Sequence, residues 1–340
     1  MHDLPATRLR YLIHGHGVEL VCSLPALLDP LQQALGQFED RAQRPATARP
    51  VAGVVGPYRQ DQVLRHLSPT ATRVACDAEA TSELYEEAER FWLIDDHWGL
   101  CQINILKGQF RGWIVCEPAI DAATAVERAV MWPIAQLLRP RGLWLVPSAA
   151  VVRDGWGALL ISTFSIEPEV TALVRAGYRI VGQNWTALRE QEGRTQMLAM
   201  PGYVHRLLRR GPTAPWVWQP AAGHRVDLTA EFCGCGCPQA LCDAVILICP
   251  GRRPLPHLEP ISPPNALSAV RRAWPIVELH PQRRPGLMPA RLAQRCAVFS
   301  MQLSRDPRHV LDLLEAARTR RPSRPSVWIH APNIRRPVVA

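Results

Sequence analysis

Residues 142–188 read GLWLVPSAAVVRDGWGALLISTFSIEPEVTALVRAGYRIVGQNWTAL, and this stretch decides the predicted fold. The apolar run over 142–152 is separated from the next by Asp154 and Gly155, a pair that favours a tight turn. A segment with helical spacing follows and ends at Gly177, and a third apolar run begins directly afterwards. The order strand, turn, strand, turn, helix, strand predicts an α/β fold.

The first forty residues predict a β-hairpin followed by a helix. Two alternating apolar runs flank His14-Gly-His16-Gly, which is typical of a hairpin turn. The leucines that follow, as far as residue 37, are spaced for one helical face. His14 and His16 are either metal ligands or solvent-facing turn residues.

Between this hairpin and the central stretch, the pattern predicts a helix, a β-meander and a second helix. Residues 81–90 are acidic and predict a helix. Residues 90–116 form three alternating runs, as in a meander, and the second turn contains Lys107. Residues 121–138 have an apolar helical face, and Pro133 should kink or divide that helix.

The composition indicates a globular protein of two domains, or of one large α/β domain with an appendage. The chain has 340 residues, 47% of them hydrophobic and 20% charged. We find no apolar run of the roughly 18 residues that a membrane helix needs and no secretory signal, so we expect a cytoplasmic protein without a membrane span. Its ten cysteines are then expected to be free thiols or metal ligands. The net charge of +9 is compatible with an acidic partner.

From the meander onward, the order of elements resembles the C-terminal catalytic domain of HPr kinase/phosphorylase and its bacterial relatives. The resemblance covers residues 85–320 and depends on element order and on two short pieces, 154–161 and 172–181. It implies an HPr-kinase-like (PEP-carboxykinase-like) mixed sheet with flanking helices. A small N-terminal α/β domain would occupy residues 1–84, and an arginine- and proline-rich tail would occupy residues 321–340.

That family holds nucleotide phosphates with a G-x-x-x-x-G-K-[ST] loop, which supplies backbone N–H groups, a lysine and a Mg²⁺-binding hydroxyl. The matching segment here, 161–171, contains neither glycine nor lysine. Lys107 is the only lysine of the chain and lies far upstream. Pro168 lacks an N–H group, and the carboxylates of the segment would repel phosphate. The residues at the degenerate loop are Ser162, Thr163, Ser165 and Glu167.

The family also requires an acidic pair after the next strand, for metal and base roles. Gln183 and Asn184 stand there, and their amides are poor Mg²⁺ ligands and cannot act as a base near neutral pH. These losses predict a pseudokinase with no cofactor. It would bind a protein partner as a scaffold, assembly or maturation factor in a multi-component bacterial system. The alternative is an atypical kinase that binds nucleotide without a loop lysine.

A cysteine-rich segment supports a third function. Four thiols lie within ten residues and could hold a soft metal ion or an iron–sulfur cluster, although their spacing differs from paired C-x₂-C knuckles. They are Cys233, Cys235, Cys237 and Cys242. Alternatively, Cys242 and Cys249 belong to a buried strand as small apolar residues. A metal-binding or redox protein is therefore a further alternative.

The remaining sequence predicts the end of the domain. Residues 250–264 are dense in proline and predict a surface loop, followed by a helix over 265–274. A strand at 296–303 and a capped helix from Asp306 complete the pattern. Nucleic-acid binding would depend only on the excess of arginine and is the last expectation, and the sequence leaves the oligomeric state open.

Overall fold

The computed structural model of the protein shows a mixed α/β architecture with sheets of eight, six and four strands and one two-stranded ladder. The ranges that the structure describes are 6–39, 49–58, 71–76, 82–95, 98–115, 122–162, 164, 166–200, 204–205, 225–226, 234–253, 255–273 and 287–320. The helices are α1 (Leu28–Leu35), α2 (Ala122–Val126), α3 (Trp132–Leu138), α4 (Glu167–Arg175), α5 (Pro263–Ala273), α6 (Leu287–Arg295) and α7 (His309–Thr319).

The eight-stranded sheet is built from the first part of the chain and has the order β1-β2-β3-β8-β7-β6-β5-β4. Its strands are β1 (Thr7–Ile13), β2 (His16–Cys22), β3 (Val51–Pro57), β4 (Thr72–Cys76), β5 (Ser82–Glu87), β6 (Arg90–Asp95), β7 (Gly99–Asn104) and β8 (Gln109–Ile114). Only β2–β3 and β3–β8 pair in parallel. The predicted hairpin and meander are confirmed, and the hairpin turn has positive φ at both His14 (46°) and Gly15 (89°), as a type I′ turn requires.

The predicted helix at 81–90 is wrong, because residues Ser82–Glu87 form strand β5. This strand pairs with β6 along its whole length and places Leu84 in the core. Its acidic side chains find partners across the sheet, as the ion pair of Glu83 with Arg73 shows. Pairing with neighbouring strands thus outweighs the helical preference of the glutamates. The predicted boundary between residues 84 and 85 falls inside β5, so the sheet extends to both sides of it.

Pro133 changes the type of the helix that contains it. The N–H of Trp132 donates to the carbonyl of Glu127, five residues earlier, so Glu127–Met131 forms a π-turn between α2 and α3. A proline ring crowds the preceding turn and supplies no N–H. A wider π-turn accommodates both effects. The predicted division of the helix at Pro133 is therefore confirmed, as a π-turn directly before α3.

The central stretch divides between two sheets. The four-stranded sheet has the order β17-β14-β13-β9, and the six-stranded sheet has the order β12-β10-β11-β18-β20-β19. Their strands, with the two-strand ladder β15–β16, are β9 (Leu143–Pro147), β10 (Ala149–Arg153), β11 (Trp156–Ser162), β12 (Arg179–Gly182), β13 (Trp185–Gln191), β14 (Arg194–Leu198), β15 (Val204–His205), β16 (Arg225–Val226), β17 (Gln239–Leu241), β18 (Ala244–Arg253), β19 (His257–Pro260) and β20 (Ala297–Ser304). The apolar run over 142–152 is therefore two strands, because the chain leaves one sheet at Pro147 and enters the other at Ala149.

Helices cover both faces of the six-stranded sheet. Val151, Leu160 and Ile246 face α4 and α7 in one core. Residues on the other face of the same strands, such as Leu159 and Val245, join a larger core that continues to the eight-stranded sheet. Burial on both faces explains why the strands read as continuous apolar runs.

The C-terminal part confirms its predicted helices and strand but not the loop at 250–264. Strand β18 extends to Arg253, and β19 forms an edge strand against β20. Proline is tolerated on an edge, which explains a strand in this proline-dense segment. The arginine- and proline-rich tail at 321–340 lies outside the described residues. None of the helices in the described ranges is both long and apolar enough to cross a membrane.

Candidate functional site

The carboxyl ends of β11, β18 and β20 lie at one edge of the six-stranded sheet, because these three strands are parallel. Strand β12 runs in the same direction, since β10 is antiparallel to both β11 and β12. Ligands of open α/β sheets bind at this edge. The chain segments that reach it from the central stretch are the β11–α4 connection and the residues after β12.

The β11–α4 connection is closed by its own side chain and backbone. The hydroxyl of Ser162 donates to the carbonyl of Phe164 at 2.8 Å and accepts from its N–H at 3.2 Å. The first helical hydrogen bond follows at once, from the N–H of Val170 to the carbonyl of Ile166 at 2.9 Å. Ser162 therefore stabilises a turn, as serine does in such loops. Thr163 and Ser165 lie outside the described residues.

The first turn of α4 is acidic. It contains Glu167, Pro168 and Glu169, and Glu169 is fully buried. Carboxylates at a helix N-terminus interact favourably with its N–H groups and partial positive charge. The same interaction makes a helix N-terminus bind phosphate. Here the two carboxylates place negative charge at the helix terminus to which a phosphate would otherwise bind.

The two amides after β12 lie beside the start of β10. The N–H of Ser148 donates to the carbonyl of Asn184 at 3.0 Å, and the hydroxyl of Thr186 lies 3.4 Å from the carbonyl of Ser148. Gln183 is buried, and its amide nitrogen and oxygen have no hydrogen-bond partner in the described structure. Because β10 separates β11 from β12, the amides lie two strands, or roughly 10 Å, from Ser162.

Taken together, this edge offers hydroxyl and amide groups near an acidic helix terminus. Lys107 lies in the turn between β7 and β8 of the other large sheet, where its N–H donates to Asn104 Oδ1 at 2.9 Å. The described residues at the edge thus provide no ammonium group near the β11–α4 connection. A phosphate would meet carboxylates there instead of a cluster of N–H donors.

The cysteine-rich segment runs beside β12. The N–H of Ile180 donates to the carbonyl of Cys235, and the N–H of Cys237 donates to the carbonyl of Ile180, both at 2.7 Å. The side chain of Cys235 packs against the core that contains α4, whereas Cys237 packs against the other core. These two side chains therefore pack against different cores, although only Gly236 lies between them.

Cys242 is buried in the large core and lies apart from the loop cysteines. The thiol of Cys296 lies 3.2 Å from its carbonyl, and the hydrogen bond with Cys296 together with burial raises the pKa of the Cys242 thiol well above its ordinary value. Among the residues that the structure describes, no three His, Cys, Asp or Glu side chains are grouped to hold a metal ion. Cys233 lies outside them, so the metal site remains a prediction.

A second polar group, which we name the basic cluster, consists of His14, His16, Arg141 and Arg189. Three different elements supply these residues: the β1–β2 hairpin, the turn before β9 and strand β13. The sequence alone indicates that the histidines are either metal ligands or turn residues. The arginines gave no signal in the sequence, because their proximity to the histidines depends on the packing of distant elements.

Comparisons with known proteins give little beyond the fold. No protein-family model matches the chain, and no curated protein matches it. Among solved structures, it is similar to the HPr(Ser) kinase/phosphatase from Coxiella burnetii at 12% identity and a TM-score of 0.29, over 52% of this chain and 96% of that chain. Values this low indicate a distant relationship in fold at most, so the chemistry of the chain has to be inferred from its own residues.

Proposed function

We propose that this chain is a non-catalytic, pseudokinase-like protein that binds a protein partner and acts as a scaffold, an assembly factor or a maturation factor. The observation that carries the proposal is the β11–α4 connection. Its hydroxyl is engaged by Phe164, and the helix it leads into begins with Glu167, Pro168 and Glu169.

Phosphoryl transfer needs positive charge around the phosphates and a metal ion held by carboxylates. Where positive charge is needed, the chain has the acidic side chains of α4. Where the resemblance places the metal-binding carboxylates, it has the amides of Gln183 and Asn184. The surrounding strands and helix are nevertheless well packed, with Leu160 and Leu173 fully buried. A retained sheet with an altered edge supports a binding role in place of a catalytic one.

The edge itself has the chemistry of a protein-binding surface. Phe164 is half-buried against the core of α4, and Glu167 begins the helix beside it. Aromatic side chains with an adjacent polar rim are typical of protein interfaces. We therefore infer that the partner contacts the sheet edge around these two residues.

Two measurements test this proposal. Mg-ATP should leave the melting temperature of the purified chain unchanged, since only a ligand that binds the folded state raises it. A partner captured under native conditions and identified by mass spectrometry should be lost from the variants Phe164→Ser and Glu167→Arg. The matched control is Glu259→Arg, which reverses a charge on the exposed edge strand β19 of the same sheet.

Two results would count against the proposal. Saturable stabilisation by Mg-ATP would favour the atypical kinase. A partner that binds the two edge variants as well as it binds the control would place the interaction elsewhere on the chain.

A further inference from the structure

The basic cluster joins two guanidinium groups with two imidazoles, and its arginines lie close together because Arg189 of β13 pairs with Leu143 of β9, two residues after Arg141. Burial lowers the pKa of His14 and of His16, and the charges of Arg141 and Arg189 lower that of His16 further. Arg189 and His16 also act in this direction on His14, whereas a hydrogen bond to the carbonyl of Ala199 opposes it. No Asp or Glu of the described residues contributes to either shift.

Arg189 is held in place by neutral groups. Its Nη2 donates to Gln196 Oε1 at 2.8 Å and to Gln191 Oε1 at 3.3 Å, and Gln196 Nε2 donates in turn to Gln239 Oε1 at 3.0 Å. This chain of amides orients the guanidinium across the four-stranded sheet without cancelling its charge. Its Nε is buried and has no hydrogen-bond partner.

The neighbouring carboxylate on the same strand faces away from the cluster. Glu190 follows Arg189 and forms ion pairs with Arg291 and Arg295 of α6. Successive side chains of a strand point to opposite faces. Glu190 is therefore engaged on the far side of the sheet, and none of the carboxylates in the described ranges forms an ion pair with Arg189.

Arg141 approaches from the turn before β9. It lies against the β7–β8 turn, where a Cβ added to Gly108 would be 3.2 Å from its Nη2. Its Nη1 is buried and has no hydrogen-bond partner, and burial lowers the pKa of the guanidinium. A buried N–H of a charged group without an acceptor is costly, so the structure places an unmet demand for an acceptor here.

His14 and His16 complete the cluster from the β1–β2 hairpin. Nε2 of His14 lies 2.8 Å from the carbonyl of Ala199, which can only accept, so Nε2 carries a proton. The ring of His14 also contacts Phe38 edge-on, which holds the hairpin turn against the rest of the molecule. The position of His14 is thus set by these two contacts, and His16 begins strand β2 directly after the turn.

We propose that the basic cluster is a binding site for a phosphate-type oxyanion, which accepts hydrogen bonds from Arg141 Nη1 and Arg189 Nε. Guanidinium groups match the geometry of tetrahedral oxyanions, and the resulting charge-assisted hydrogen bonds are strong ones. The ligand is either free phosphate or the phosphate group of a small molecule. The site lies between the hairpin and the four-stranded sheet, and it is independent of the proposed partner-binding edge.

Binding of inorganic phosphate tests the site, measured by calorimetry and by thermal shift at constant ionic strength with chloride as the balancing anion. The unmodified chain should bind phosphate saturably. Arg141→Gln and Arg189→Gln should each weaken binding about tenfold or more, since each removes a hydrogen bond to a charged acceptor. The matched control Arg8→Gln removes an exposed arginine of β1 and should bind as the unmodified chain does.

A second readout does not depend on the arginine variants folding. In the full chain, phosphate should shift the proton resonances of the His16 ring, assigned with His16→Gln, and should leave those of His257 on β19 unchanged. Tighter binding of glucose 6-phosphate than of inorganic phosphate would identify a phosphorylated small molecule, and equal binding would identify the free anion. The proposal is overturned if phosphate acts no differently from chloride, or if Arg8→Gln weakens binding as much as the cluster variants do.

Discussion

A tight constraint on a single residue lies at Gly157 of β11, where two sheets meet. A Cβ at this position would lie 2.1 Å from the carbonyl oxygen of Leu241 and 2.7 Å from Cε of Met197. The backbone of Gly157 is also hydrogen-bonded to Asp243 through both its N–H and its carbonyl. These two hydrogen bonds hold Gly157 in place, so its backbone cannot easily move away from the carbonyl of Leu241.

We predict that Gly157→Ala lowers the free energy of unfolding by about 1–3 kcal/mol, because the added methyl group forces the backbone of two strands apart. Urea denaturation measures the change. The control is Gly155→Asn in the adjoining turn, where φ is +75° and the space around the Cβ is open. Asparagine tolerates that conformation, so the control should stay close to the unmodified chain. Equal stability of Gly157→Ala and the unmodified chain would contradict the observed close approach.

His16 predicts a pH dependence of stability. Burial, followed by the charges of Arg141 and Arg189, lowers its pKa in the folded state below the value in the unfolded chain. The unfolded state therefore binds the proton more tightly, so this contribution is complete above a pH of about 6.5 and is lost as the pH falls through the folded pKa. In a phosphate-free buffer, His16→Gln should lose less stability than the unmodified chain between about pH 7.5 and about pH 5.5.

The control for this prediction is His257→Gln, which removes an exposed histidine from the edge strand β19. Its stability should fall with pH as steeply as that of the unmodified chain. If the stability of His16→Gln also falls as steeply with pH, His16 is not held in the environment described for the basic cluster.

At the scale of elements, Glu315 attaches helix α7 to the β10–β11 hairpin and to Tyr178, which directly precedes β12. The hydroxyl of Tyr178 donates to Glu315 Oε1 at 2.8 Å, and Arg153 Nη1 donates to the same oxygen at 3.3 Å. Arg318 of the helix completes the contact by pairing with Asp154 at 3.1 Å. The side chain of Glu315 is 40% exposed, which limits the strength of its ion pairs.

We predict that Tyr178→Phe destabilises the protein by about 1 kcal/mol, since the buried ring keeps its packing and loses one hydrogen bond to a charged group. A double-mutant cycle with Glu315→Ala, which removes the acceptor, isolates the interaction when it is measured by urea denaturation. Additive effects of the two substitutions would show that this hydrogen bond does not join α7 to the rest of the fold.

The sequence predicted an element correctly where the preference of its own residues matched the contacts that the element makes in the folded chain. The hairpin at His14-Gly15 is one example, because its turn dihedrals suit glycine whatever surrounds it. Strand β5 is the opposite case, since its glutamates favour a helix and only pairing with β6 makes it a strand. The break at Pro147 likewise follows from two sheets that the local sequence does not describe.

At the scale of the whole molecule, the cysteines distribute over two cores and the loop beside β12. Cys101 is fully buried, and burial raises the pKa of its thiol well above the ordinary value. The pKa of the Cys242 thiol is also raised, first by its hydrogen bond with Cys296 and then by burial. The thiolate is the reactive form, so both residues should be inert in the folded protein.

We predict that a thiol reagent labels Cys237 in the native protein and labels Cys101 and Cys242 only after denaturation, with mass spectrometry as the readout. We also expect a substoichiometric content of zinc in protein purified without a tag, because Cys235 and Cys237 pack against different cores. A full equivalent of zinc that is lost on treatment with a chelator, together with protection of Cys237, would instead support the predicted metal site.

The α/β class, the positions of most helices and strands and the absence of glycine and lysine between β11 and α4 all follow from the sequence. These depend on residue period, on turn residues and on which side chains are present, and all of them are local. The tertiary structure alone decided the division of residues 142–152 between two sheets and the pairing of β5. It also decided that Cys235 and Cys237 pack against different cores, and it assembled the basic cluster from distant elements. The physical reason is that strand pairing and side-chain proximity are set by contacts between distant parts of the chain, which no local pattern records.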